Sequence, residues 1–64
     1  MREWFKAARD LKELTQRQLG DLVGVDVTTI GKYELNERRP SPEVAKKIAE
    51  VLDLDWTRFY DEAQ

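Results

Sequence analysis

Two amphipathic stretches, residues 15–23 and 27–35, are separated by only Gly24-Val25-Asp26, and this spacing restricts the fold more than any other feature of the chain. A connection that short leaves room for a sharp corner between two helices and little else. Thr15-Gln16-Arg17-Gln18 fits a capping box, in which the Thr15 hydroxyl accepts from the Gln18 backbone N–H while the Gln18 side chain reaches back to the cap. The helix it opens is predicted to turn Leu19, Leu22 and Val23 inward and to stop at Gly24, a residue free to take the left-handed conformation. Asp26 is then the expected N-cap of a helix over 27–35, with Ile30 and Tyr33 facing the core.

The flanking segments have the same helical period. Trp4, Phe5, Ala8 and Leu11 recur at intervals of three and four, predicting a first helix over 2–12 with those residues on its inner face. After residue 35 a polar loop, Asn36-Glu37-Arg38-Arg39-Pro40, ends in a proline that blocks helical continuation. Ser41-Pro42-Glu43 opens a fourth helix as cap, first-turn proline and dipole-matched acid, with Val44, Ala45, Ile48, Val51 and Leu52 apolar. A short last helix is expected from Asp55, carrying Trp56, Phe59 and Tyr60. No strand pattern or repeat interrupts this order, so the prediction is an all-α, compact five-helix bundle. Its 64 residues support one core and hence one domain, 1–64.

So small a bundle lies near the lower limit for folding alone, and composition removes the usual staples. The chain has no cysteine and no histidine, which excludes disulfides and Cys/His metal sites and removes the common nucleophile–base pairs. Neither enzyme activity, cofactor nor metal is expected. No apolar run is long enough to span a membrane, and Met1-Arg2-Glu3-Trp4 lacks the apolar stretch of a signal peptide, so a soluble cytoplasmic protein is expected. The net charge of -2 is against a nucleic-acid binder, but residues 50–64 hold five acids against Arg58, leaving 10 bases and 8 acids in the first 49.

Four groups of residues in register carry a resemblance: Leu14-Thr15-Gln16-Arg17-Gln18-Leu19, Val23-Gly24-Val25, Thr29-Ile30-Gly31-Lys32-Tyr33-Glu34 and Arg38-Arg39-Pro40-Ser41. Together they resemble the Cro/C1-type (XRE-type) helix-turn-helix family over about residues 5–54. The resemblance implies a lambda-repressor-like fold of bacterial or phage origin. It also implies a transcriptional regulator, of repressor type, whose third helix, 27–35, enters the major groove of double-stranded DNA.

Carried over position by position, the resemblance places base contacts on Val27, Thr28 and Lys32. Thr28 can donate, accept or touch a thymine methyl, Val27 offers apolar contact, and Lys32 reaches guanine O6 or N7. Phosphate contacts fall on Gln16, Arg17, Thr29, Arg38 and Arg39. Arg9 and Glu34 stand where relatives form a buried ion pair, Gly20 where a small residue lets the second and third helices approach, and Gly24 at the turn. Leu35, Asn36 and Glu13 depart from the pattern, standing where relatives place a phosphate-binding Asn and two glycines.

Three aromatics within five residues, Trp56, Phe59 and Tyr60, predict a homodimer interface on the last two helices, suited to a palindromic operator. A rival reading keeps the fold but makes it an antitoxin-like interaction module whose protein partner is a toxin. A helical bundle without any ligand is the third reading. Gln16, Thr28 and Lys32, polar and gathered on one face, favour the DNA reading, because a protein-docking face needs apolar anchors there.

Overall fold

A computed structural model describes residues 1–61. It contains α1 (Glu3–Leu11), α2 (Gln16–Val23), α3 (Val27–Glu34) and α4 (Pro42–Leu52), followed by a 3-10 helix, Trp56–Phe59, with no strand among the described residues. The expected fifth α-helix is therefore replaced by a tighter one. The Asp55 carboxylate accepts from the Thr57 backbone N–H at 3.0 Å, and Arg58 N–H donates back to the Asp55 carbonyl at 3.0 Å. Residues three apart eclipse in such a helix, which puts Phe59 in the core with Trp56 at its margin.

The caps form largely as their residues dictate. Thr15 and Gln18 make the reciprocal capping box at 3.0 and 2.9 Å, and the Ser41 hydroxyl accepts from Val44 N–H ahead of Pro42. Asp26 holds the N-cap position of α3, but its carboxylate accepts from the Thr29 hydroxyl, and no side-chain hydrogen bond caps the helix backbone.

A shared device ends all four α-helices. In each, one residue takes the left-handed conformation: Glu13 (φ 58°), Gly24 (φ 82°), Asn36 (φ 63°) and Asp53 (φ 61°). The N–H that follows donates back across the last turn, Leu14 to Arg9, Val25 to Gly20, Glu37 to Lys32 and Leu54 to Ala49. These bonds satisfy carbonyls that a helix end leaves open, and glycine occupies the strained position in only one of the four.

Phe5, Leu19, Ile30, Ile48 and Phe59 are fully buried and draw all the elements onto one core. Phe59 meets Trp4 and Phe5 edge-on, at 5.0 and 5.6 Å between ring centroids, so the chain end folds back onto α1. Two residues expected inside lie outside. Leu11 is 82% and Leu22 61% exposed, because α1 turns Phe5 and Arg9 inward and α2 turns Leu19, Gly20 and Val23 inward. Gly20 fits where a larger residue does not: a Cβ there would lie 2.5 Å from the Val25 carbonyl oxygen and 3.5 Å from Ile30. The close approach is thus to the turn itself as well as to α3.

Candidate nucleic-acid interface

Helix α3 presents two unlike sides. Ile30 and Tyr33 are buried, whereas Thr28 and Lys32 are exposed and Val27 is half-buried at the leading turn. Thr28, Gly31 and Lys32 stand at intervals of three and four, which places them on one strip of the helix. Gly31 lies against Gln16, since a Cβ built there would be 3.9 Å from either polar atom of the Gln16 amide. The head of α2 and the outer strip of α3 therefore adjoin.

The Gln16 amide is held in place. Its nitrogen donates to Glu34 Oε1 at 3.0 Å, and the same carboxylate accepts from Arg9 Nε at 2.5 Å and Nη2 at 3.3 Å. Arg9 Nη1 also donates to the Leu14 carbonyl at 2.7 Å. Glu34 is only 2% exposed, so this charge stays in the interior because Arg9 and Gln16 surround it. One carboxylate ties α1, α2 and α3 together and leaves the half-buried Gln16 at the edge of the strip.

Thr29 departs from its expected role. Its hydroxyl donates to Asp26 Oδ1 at 2.5 Å, a bond that holds the exposed Asp26 carboxyl below its ordinary pKa. With its single proton engaged there, Thr29 has none to offer a phosphate, and its acid neighbour repels one. Arg17 is exposed on the first turn of α2, and Arg38 and Arg39 are exposed on the loop after α3. That loop and Arg2 line a shallow concavity with Asn36 and Glu37. Leu35, half-exposed at the end of α3, offers no polar group toward it.

Sequence reasoning missed Arg2. Its Nη1 donates to the carbonyls of Tyr33 at 2.6 Å and Arg38 at 2.8 Å, and its backbone N–H donates to Glu34 O at 2.7 Å. A charge next to the first residue reads as a solvated end, and no local pattern reveals partners more than thirty positions away. Phe59 corrects the expected dimer surface: it is 1% exposed and belongs to the core. Trp56 and Tyr60 remain half-buried, edge to face at 5.8 Å, with Lys46 over the Trp56 ring and Arg39 over the Tyr60 ring.

No group of carboxylates among the described residues is arranged to hold a metal, and none of their helices is long and apolar enough to cross a membrane. Two short helices joined at Gly24, with a polar strip on the second adjoining the head of the first, define a helix-turn-helix domain. The chain belongs to the helix-turn-helix family HTH_3, of Cro/C1 (XRE) type, which matches residues 5–59. That membership places it among DNA-binding transcriptional regulators and not among enzymes.

The chain is 36% identical over 62 residues to YqaF of Bacillus subtilis, named an uncharacterised HTH-type transcriptional regulator, covering 97% of this chain and 82% of that protein. It is 44% identical over 52 residues to an HTH-type transcriptional regulatory protein of Methanococcus maripaludis, and 42% over 50 residues to one of Methanococcus vannielii. In those two matches 77% and 78% of the chain corresponds to only 16% and 15% of the archaeal proteins. No solved structure matches the chain.

Proposed function

We propose that this protein is a sequence-specific repressor that lays α3 in the major groove and binds a palindromic operator as a homodimer. The observation that carries the reading is the adjacency of Gln16 to the exposed strip bearing Thr28 and Lys32. Base edges are read by Thr28, Lys32 and, through apolar contact, Val27. Gln16 holds a phosphate at the positive end of α2, assisted by Arg17, Arg38 and Arg39. Thr29 is left out of this set because Asp26 takes its proton.

The acid-rich composition limits what one domain can do. With few phosphate contacts and a net charge of -2, a single domain binds weakly and with a shallow salt dependence, so two domains on two half-sites are needed. The half-buried Trp56 and its neighbourhood on α4 supply the contact between copies.

Titration of random-sequence duplex across a salt series, followed by selection of bound sequences from a random pool, tests the reading. The expected result is an enriched palindrome with half-site centres about one helical turn apart. Absence of duplex binding at low salt would overturn the function, and a monomer mass at every concentration, alone and on the selected duplex, would overturn the dimer.

A further inference from the structure

The loop that carries Arg38 and Arg39 has no regular structure of its own, yet both ends of the chain grip it. From one side Arg2 donates to the carbonyls of Tyr33 and Arg38. From the other, the Tyr60 hydroxyl donates to the Pro40 carbonyl at 2.6 Å, while the Tyr60 ring lies 5.4 Å from the Arg39 guanidinium carbon. Pro40 is itself fully buried, so the loop is anchored at its last residue. Tyr60 thus touches both the backbone after Arg39 and the charge at the end of the Arg39 side chain.

We propose that Tyr60 is a positioning residue for DNA binding, acting through Arg39: it holds the guanidinium extended along the loop, ready for a backbone phosphate. The proposal rests on the DNA-binding reading above. An arginine with a free side chain must lose rotamer freedom when it meets a phosphate, and stacking on a ring removes part of that cost before binding. Because phosphates carry no sequence information, the contribution acts on all duplexes alike. This separates Tyr60 from Thr28 and Lys32, and it gives the tyrosine a duty that a phenylalanine at the same place fulfils only in part, since the Pro40 bond would be lost.

The test compares the wild-type chain with Tyr60→Phe, Tyr60→Leu, Arg39→Ala and the Tyr60→Leu/Arg39→Ala double variant. Each is titrated with one duplex carrying a single half-site and one of unrelated sequence, across a salt series. A single half-site keeps dimerisation out of the measurement, and a thermal melt of each variant fixes a temperature at which all are folded. Tyr60→Leu is expected to weaken both duplexes by about 3- to 10-fold, and Tyr60→Phe by less. The salt slope of Tyr60→Leu should approach that of Arg39→Ala, a loss of about 0.9. In the Arg39→Ala background the Tyr60→Leu change should have almost no further effect. Equal effects with and without Arg39, or an unchanged salt slope, would overturn the proposal while leaving the DNA reading intact. A wild-type chain that binds neither duplex would overturn both.

Discussion

The Gln16 side chain donates to Glu34 at 3.0 Å, so the amide at the head of α2 is set by a carboxylate at the end of α3. Glu34 is set in turn by two nitrogens of Arg9. A buried charge here serves stability and the proposed interface at once, and the two roles separate by mutation.

Removing one partner strands the other in the interior. Arg9→Met is expected to cost about 3–5 kcal/mol, and Glu34→Gln, which retains an acceptor for Gln16, somewhat less. The Arg9→Met/Glu34→Leu pair should recover much of the Arg9→Met loss, because a buried ion pair often exchanges for apolar residues without penalty. Urea unfolding of the four proteins checks this, and single variants as stable as the parent would contradict it.

Gly20 sets helix propensity against packing. Alanine would favour α2 by about 1 kcal/mol if propensity alone mattered. The Cβ, however, would sit 2.5 Å from the Val25 carbonyl oxygen, which belongs to the turn backbone and cannot swing away. Gly20→Ala is therefore expected to lower stability by about 1–3 kcal/mol, read from the thermal midpoint. An increase would show that the turn moves aside at little cost.

Glu13 and Asp53 hold left-handed positions that suit glycine better. Glu13→Gly and Asp53→Gly should each stabilise the fold by about 0.5–1 kcal/mol, after the entropy that glycine adds to the unfolded chain. Asn36→Gly should give less, since asparagine tolerates this conformation. A lower urea midpoint for either acid replacement would contradict the account of how the helices end.

Stability should respond to acid and scarcely to neutral pH. The chain has no histidine, and Asp10, Asp26 and Asp55 are held below the ordinary carboxylate pKa, chiefly by hydrogen bonds from Lys6, Thr29 and Thr57. A carboxyl that is more acidic folded than unfolded stabilises fully above its unfolded pKa of about 3.9 and loses that contribution as pH falls through the folded value. The thermal midpoint is expected to be level from about pH 5 to 7 and to fall below about pH 4. A midpoint that changes steeply near pH 6 would be inconsistent with this set of groups.

What the sequence made legible was local. The Thr15–Gln18 box, the Ser41 cap, Pro42 and the turn at Gly24 depend on residues within four positions of one another, and each forms. Ile30 and Tyr33 were legible too, because apolar period alone places them inside. Leu11 and Leu22 show where period fails: both have helical spacing, but a chain this small has nothing to lay over that side. On α1 the inward position went to Arg9, whose partner Glu34 is 25 residues away. Arg2 and Tyr60 were beyond local reasoning for the same reason, since their acceptors are backbone carbonyls of a distant loop.

The central claim is that the outer strip of α3 reads bases while the head of α2 holds the backbone. Sequence selection from a random duplex pool with Thr28→Ala, Lys32→Ala and Gln16→Ala tests it most directly. The account predicts that the first two shift the enriched sequence, each at one or two positions of the half-site. Gln16→Ala should leave the enriched sequence unchanged and weaken every duplex by a similar factor. An identical enriched sequence from all three variants, at unchanged affinity, would contradict it.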